Sequence, residues 1–182
     1  MEYWATRDQL VADQMQQSNR DSWKPPPHSV YKLNFDAAVF SGLDRSGFGE
    51  VIRNDKREVM ATKGLEVFCS EEDELLARRT AIEFAMDAGF SDFVIERDNS
   101  TVMHAKSSPN ADQSLLGNVV GDIQQMLRGL HWVSIDFTRR GGNKVAHVLA
   151  QYVRTTIDDM YWIEDLPPLA MEVLYQDANF ID

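Results

Sequence analysis

The stretch Tyr31-Lys-Leu-Asn-Phe-Asp-Ala-Ala-Val-Phe40 decides the fold of this chain. Apolar residues at its odd-numbered positions alternate with Lys32, Asn34 and Asp36, which is the period of a strand that turns one face toward a core. Asp36 therefore lies in the middle of a strand. An ionised carboxylate buried without a partner costs on the order of several kcal/mol, so Asp36 requires hydrogen-bond donors, a cationic side chain or a metal ion.

Composition indicates a globular protein with a single domain. The 182 residues are enough for one core, and no stretch has the apolar run of a signal peptide or a membrane span. Cys69 is the only cysteine, which fits a reducing compartment, so we expect an intracellular protein of the nucleus or cytoplasm with no membrane partner. The formal net charge of -11 argues against tight non-specific binding of nucleic acid, but it permits binding through metal ions.

Periodicity predicts a mixed α/β domain. Three strands joined by short turns form an antiparallel meander, and helices and strands then alternate. The predicted elements are strands 31–40, 47–53 and 59–68, a helix over 74–88 capped by Ser70, a strand over 93–98, helices over 101–106 and 112–130, a strand over 132–137 and a helix to 156 capped by Asn143. This order indicates a five-stranded mixed sheet, three antiparallel strands and two parallel additions, flanked by helices.

The two ends of the chain differ from the central part. Residues 1–28 predict an N-terminal appendage, with a weakly amphipathic helix over 4–17, followed by a stiff proline-rich linker. Residues 29–158 form the predicted domain, and residues 159–182 are a C-terminal extension.

Three acids fall on three separate predicted elements. Asp36 lies in the first strand, Glu74 in the first turn of the first core helix and Asp98 at the end of the fourth strand. Ionised carboxylates approach one another closely only when a cation lies between them, and their oxygens suit Mg²⁺ or Mn²⁺. Two such ions activate a water and stabilise the leaving oxygen of a phosphodiester. Spacing alone leaves open the alternative that each acid is solvated or caps a helix.

Five blocks of sequence carry a resemblance to a known family. They are Lys32-Leu-Asn-Phe-Asp-Ala-Ala38, Gly47-Phe-Gly-Glu-Val-Ile-Arg53, Glu74-Leu-Leu-Ala-Arg-Arg-Thr-Ala-Ile-Glu83, Val94-Ile-Glu-Arg-Asp-Asn-Ser100 and Arg140-Gly-Gly-Asn-Lys-Val-Ala-His-Val-Leu-Ala150. In this order they resemble the blocks of the type 1 ribonuclease H domain, above all its plant reverse-transcriptase-like branch, which derives from non-LTR retroelements. The likeness extends over about residues 23 to 178.

The resemblance implies a ribonuclease H-like fold and a two-metal hydrolase that cuts the RNA strand of an RNA–DNA hybrid, with Mg²⁺ or Mn²⁺ as cofactor. Asp36, Glu74 and Asp98 match the family's first three catalytic, metal-binding acids. His147 stands where many relatives carry the fourth acid. It is either a weak ligand of the second ion or a structural residue of its helix.

The loop after the fifth strand departs from the family's pattern. It lacks the histidine that many relatives carry there, and Arg139, Arg140, Asn143 and Lys144 are the expected contacts with the phosphate backbone. The basic protrusion of some relatives is also absent, because the segment 106–113 is short and nearly uncharged. We therefore expect weak, salt-dependent affinity for RNA–DNA hybrid or other nucleic acid.

Two other functions stay open. A domesticated module that has lost turnover would act as a binding or regulatory domain, with a protein partner on its terminal segments. An exonuclease of the same superfamily would also use three acids and a histidine, but the order and spacing of its motifs match this sequence less well.

Overall fold

The computed structural model describes residues 22–68, 73–98, 113–156 and 158–179. The helices predicted over 4–17 and 101–106 and the predicted N-cap Ser70 lie outside these ranges. Within them, one mixed sheet carries helices on both faces, which confirms the predicted fold class.

The elements follow the predicted order and add two at the C-terminal end. The strands are β1 (Tyr31–Phe40), β2 (Arg45–Arg53), β3 (Val59–Phe68), β4 (Asp92–Asp98), β5 (Trp132–Thr138) and β6 (Met160–Ile163). The α-helices are α1 (Asp73–Asp87), α2 (Gln113–Gly129), α3 (Lys144–Tyr152) and α4 (Pro168–Asn179), and short 3₁₀ turns at Arg140–Asn143 and Val153–Thr155 flank α3. None of the helices in the described ranges is long and apolar enough to cross a membrane.

The sheet has the strand order β5-β4-β1-β2-β3-β6. The predicted meander is confirmed, since β2 pairs antiparallel with both β1 and β3. The two predicted parallel additions are confirmed as well, because β4 pairs parallel with β1, and β5 pairs parallel with β4. The carboxyl ends of β1, β4 and β5 therefore lie at the same edge of the sheet.

The predicted number of five strands was wrong, because the described part of the sheet has six. The additional strand β6 pairs antiparallel with β3, from Gly64 opposite Met160 to Ala61 opposite Ile163. It comes from the segment that the sequence places in a C-terminal extension. Only four residues long, and with Tyr161 and Ile163 exposed at the sheet edge, β6 carries too few positions for a periodic signal.

The alternation along β1 divides its residues between two covered faces. Leu33 and Phe35 are buried in the larger core, which the sheet forms with α1 and α2, and each side chain of this size stabilises the fold by about 1.5–3 kcal/mol. The other face is covered by α3 and α4, and for this reason Lys32 and Asn34 are buried too. Lys32 and Asn34 therefore do not lie on a solvent-exposed face of the sheet.

Two glycines of β2 bring α3 unusually close to the sheet. A Cβ atom on Gly47 would lie 2.1 Å from the Ala150 carbonyl oxygen, and one on Gly49 would lie 2.2 Å from the Ala146 carbonyl oxygen. Both distances are far shorter than van der Waals contact, so the backbone of α3 packs directly on β2 only because these side chains are absent. The closeness of α3 is thus built into the sequence of β2.

A buried polar cluster fills the space between the sheet and the two ends of the described chain. Its members are Trp23, Lys32, Asn34, Arg53, Glu96 and Asp177. Glu96 of β4 accepts hydrogen bonds from Lys32 Nζ and Asn34 Nδ2, both at 2.9 Å. Trp23 Nε1 donates to Asn34 Oδ1 at 2.9 Å, which joins the chain's entry to β1.

The C-terminal helix enters the same cluster through Asp177. Arg53 Nη1 lies 3.1 Å from Asp177 Oδ2, and the guanidinium stacks on the ring of Trp23, 3.8 Å from its centroid. Trp23 and Asp177, which lie on opposite sides of the predicted domain limits, are therefore both packed against the central strands.

Candidate active site

Asp36 lies at the carboxyl half of β1, on the face that α3 covers. Its partner across the β1–β2 pair is Gly49, so no side chain of β2 stands opposite it. Asp36 Oδ2 is 2.6 Å from His147 Nδ1, and the side chains of the two residues are 17% and 33% exposed. Of the three partners that the sequence leaves open for this carboxylate, the structure provides a side chain that is cationic when protonated.

Asn143 fixes the start of α3 beside Asp36. It occupies the predicted N-cap position, but its side chain makes no capping hydrogen bond, and its Nδ2 instead donates to the Phe35 carbonyl oxygen at 2.9 Å. Asn143 is 1% exposed, and its Oδ1 is buried with no hydrogen-bond partner among the described residues. A contact between Asn143 and nucleic acid, predicted from the sequence, would require this buried side chain to become accessible.

Glu74 lies in the first turn of α1, as predicted, and its carboxylate pairs with Nη1 of Arg97. The guanidinium of Arg97 also lies over the ring of Phe137 in β5, 5.0 Å from its centroid. One turn along α1, Arg78 has its pKa lowered by burial and by the positive charge of Arg97, and Glu74 opposes this shift. The carboxylate of Glu74 is therefore in the field of two guanidinium groups.

Asp73, the neighbour of Glu74, anchors α1 to the sheet. The sequence indicates a solvated acidic run at this point, yet Asp73 is buried and accepts a hydrogen bond from Ser46 Oγ of β2. The two acids thus have separate tasks, one structural and one at the sheet edge. Period alone could not distinguish them, because the acids are adjacent at the helix start.

Asp98 ends β4 at the edge where Asp36 lies. The parallel register of β1 and β4 runs to Phe35 opposite Arg97, and Asp36 and Asp98 are the next residues of the two strands. On its other side, the backbone of Asp98 pairs with Thr138 of β5. The parallel sheet therefore brings the backbones of these two predicted acids to the same level.

The predicted basic contacts follow β5 at this same edge. Arg139 and Arg140 are exposed, and Lys144 at the start of α3 is half-buried. They lie on the connection between β5 and α3, two elements that reach the edge beside β4 and Asp36. The chain is acidic overall, but this connection carries these three basic side chains within six residues.

No group of three or more His, Cys, Asp or Glu side chains in the described ranges is placed to hold a metal ion. Asp36 and Glu74 are instead each paired with a basic side chain, His147 and Arg97. Each of these contacts uses one carboxylate oxygen, and carboxylate oxygens are the ligands that Mg²⁺ and Mn²⁺ prefer. The donor chemistry fits a hard divalent cation, provided that Glu74 is released from Arg97.

Arg97 is the residue of this site to which the sequence interpretation assigned no role. It lies inside a block quoted for its acids, between Glu96 and Asp98. The two-residue period of β4 carries the signal, because it places Arg97 on the face opposite Glu96, toward α1, which carries Glu74.

Solved structures with the same fold are ribonuclease H domains. RNase H1 from the halophilic archaeon Halobacterium salinarum NRC-1 is 22% identical, with a TM-score of 0.59, and the match covers 71% of this chain and 100% of that one. The N-terminal RNase H domain of a Mycobacterium tuberculosis protein, solved as a fusion with maltose-binding protein, is 16% identical with a TM-score of 0.52, covering 67% and 96%. The fold is that of the ribonuclease H-like proteins.

The sequence model of the reverse transcriptase-like family matches residues 34–153, more than half of the chain. No curated protein sequence matches. The chain belongs to the reverse transcriptase-like family, whose matched span runs from within β1 to the end of α3 and includes every predicted site residue.

Proposed function

We propose that this protein is a metal-dependent endoribonuclease that hydrolyses the RNA strand of RNA–DNA hybrids. Its family and fold support a nuclease of the hydrolase class in general. The observation that carries the specific proposal is the placement of Asp36, a half-buried carboxylate opposite a glycine, level with Asp98 and beside the basic connection from β5 to α3.

Asp36, Glu74 and Asp98 would hold the divalent cations, as the family resemblance implies. When bound, Mg²⁺ or Mn²⁺ would activate a water and stabilise the leaving oxygen of the phosphodiester. His147 faces Asp36 Oδ2 at 2.6 Å and would restrict the rotation of that carboxylate. Because imidazole is a poorer ligand for Mg²⁺ than a carboxylate, the second ion would be held weakly.

The chain's other residues would position the substrate. Asn143 ties α3 to the β1 backbone at Phe35, which holds the strand and helix of the site in register. Arg139, Arg140 and Lys144 would contact backbone phosphates, which sets the position of a hybrid without reading its sequence. Since the net charge is -11 and these contacts are few, affinity should be low and should fall steeply with salt.

The test is cleavage of a labelled RNA–DNA hybrid by the purified full chain at low salt, with Mg²⁺ or Mn²⁺. Wild type should cut the RNA strand, and Asp36→Asn and Asp98→Asn should each abolish the cut. Asp92→Asn is the matched control, because Asp92 begins the strand that Asp98 ends and pairs with His131 away from the site. Absence of cleavage with both metals would refute the proposal.

A second candidate is a binding module without turnover. It is favoured by one observation: within the described ranges, Asp36 and Glu74 are already paired with His147 and Arg97. Such a module would bind nucleic acid, or a protein through its terminal segments, and its hybrid complex would survive addition of metal. A circular hybrid substrate separates the remaining alternative, because an endonuclease opens it and an exonuclease does not.

A further inference from the structure

The side chain of Arg97 is held in place by contacts on two sides. Nη1 pairs with Oε1 of Glu74, and the guanidinium lies over the exposed ring of Phe137, 5.0 Å from its centroid. The side chain of Arg97 is 17% exposed, and its Nε is buried without a hydrogen-bond partner in the described part of the chain. Within the part of the chain that the structure describes, the guanidinium therefore pairs with Glu74 and leaves its Nε donor unsatisfied.

The surroundings of Glu74 are already positive. Arg78 lies one turn along α1 and interacts electrostatically with both Glu74 and Arg97. The carboxylate also lies in the first turn of α1, where the helix dipole adds a partial positive charge. A divalent cation near Glu74 would therefore be repelled by two guanidinium groups, and the carboxylate that would bind it is already paired with Arg97.

We propose that Arg97 is a positioning residue that competes with the divalent cation for Glu74. This inference rests on the proposed function for the identity of the ion. In the metal-free chain, Arg97 holds Glu74 in place and neutralises it. A cation at Asp36 gains Glu74 as a ligand only when the guanidinium releases it, so Arg97 raises the metal concentration that the site requires.

The structure favours competition over a permanent ion pair. The side chain of Glu74 is 35% exposed, and an ion pair at this exposure contributes little to stability, so the cost of opening it is small. The unsatisfied Nε shows that the pair does not use the full hydrogen-bonding capacity of the guanidinium. The Nε of Arg53 is also without a partner among the described residues, so the difference between the two arginines is that Arg53 is fully buried and bonds both Asp177 and Asn34.

The test is a calorimetric titration of the full chain with Mn²⁺ at constant low ionic strength. Arg97→Gln should bind Mn²⁺ about fivefold more tightly than wild type, the effect of removing one partly exposed ion pair. In the Glu74→Gln background, Arg97→Gln should have no effect on the affinity. Arg79→Gln is the matched control, because Arg79 is on the same helix and pairs with Glu83 and Asp122 instead.

Three results would overturn the inference: equal Mn²⁺ affinity of wild type and Arg97→Gln, an Arg97→Gln effect that persists without Glu74, or no binding by either chain. A second measurement uses the ¹⁵N side-chain resonance of Arg97 in wild type, which should shift and exchange faster with solvent as Mg²⁺ is added. An Arg97 resonance unchanged at metal saturation would count equally against it.

The titration needs no turnover, so its failure is distinct from that of the proposed function. A chain that shows the Arg97 effect but cuts no hybrid refutes the nuclease alone. A chain that cuts hybrid but binds Mn²⁺ equally well with and without Arg97 refutes only the competition.

Discussion

The strands β1 and β4 carry two groups of polar and charged residues side by side, and along β1 the two groups differ in solvent access. Lys32, Asn34 and Glu96 belong to the buried polar cluster, and Asp36 and Asp98 follow two residues after the last cluster member of their strands. The cluster is closed by α4, whose Asp177 is 4% exposed. The candidate site beyond it remains partly open.

An ion pair of the cluster and an ion pair of the site also differ in exposure. Arg53 and Asp177 have side chains 1% and 4% exposed, whereas those of His147 and Asp36 are 33% and 17% exposed. Burial is the main influence in the cluster: it lowers the pKa of Arg53 to about 10 and raises the pKa of Asp177. Two residues along β1 are therefore enough to separate the fully buried Asn34 from the partly exposed carboxylate of Asp36.

The largest expected effect is on the cluster. Asp177→Ala should lower the free energy of unfolding by about 3–5 kcal/mol, because it leaves the buried guanidinium of Arg53 without its anion. Denaturant titration measures this, and Glu172→Ala, an exposed change on the same helix, should alter it by less than about 0.5 kcal/mol. The double variant Arg53→Met/Asp177→Leu should recover much of the loss, because burial outweighs pairing for both charges. A minor effect of Asp177→Ala would erase the contrast between cluster and site.

The next-largest effect concerns Glu50, a buried carboxylate of which one oxygen lacks a hydrogen-bond partner among the described residues. Thr80 donates to its Oε1, its Oε2 has no partner among the described residues, and burial raises its pKa to about 7. The unfolded chain ionises this group near pH 4.5, so wild-type stability should fall between about pH 4.5 and 7 and then level off. Glu50→Gln should be the more stable form above pH 7, by about 2–3 kcal/mol, with no difference below pH 4. If the free energies of unfolding of wild type and Glu50→Gln changed in parallel with pH across this range, the prediction would be contradicted.

A smaller effect is expected at the site itself. Asp36→Asn should change the free energy of unfolding by less than about 1 kcal/mol, because the pair with His147 is partly exposed to water. The measurement is the same denaturant titration. A loss near that of Asp177→Ala would show that Asp36 belongs with the structural charges.

The smallest effect is at Asp92 and His131, an exposed pair at the opposite end of β4. The hydrogen bond to Asp92 raises the pKa of His131, so its contribution is present below pH 6.5 and is lost as pH rises through the higher pKa of the folded chain. NMR titration of Asp92→Asn should return the His131 pKa toward 6.5, with no measurable change in stability. An unchanged titration would show that the pair does not form.

Much of this arrangement could be predicted because its signals are local. The period-2 pattern of β1 and the helical pattern after Cys69 indicate the element order, and the right-handed crossovers indicate the parallel strands. The burial of Lys32 could not be predicted, because it depends on Glu96, which is 64 residues away. The same holds for Arg53 and Asp177, which are 124 residues apart.

In the candidate site too, the positions of the residues could be predicted from the sequence and their contacts could not. The positions of Asp36, Glu74 and Asp98 follow from their elements, and the resemblance adds their roles as a prediction. Their partners do not follow, because His147 reaches Asp36 through the placement of α3, and the alternation of β4 gives the face on which Arg97 lies but not its contact with Glu74. A pattern of residue types along the sequence does not specify contacts between side chains that are distant in the chain.

The close packing of α3 on Gly47 and Gly49 makes the position of residue 147 independent of its identity. The helix is located by contact between main chains, with the Ala146 carbonyl oxygen directly over Gly49. A different side chain at position 147 would therefore arrive at the same point above Asp36. We therefore expect that the placement of α3 would bring an acid at position 147 to the same place beside Asp36, where the two carboxylates would repel each other unless a cation lay between them.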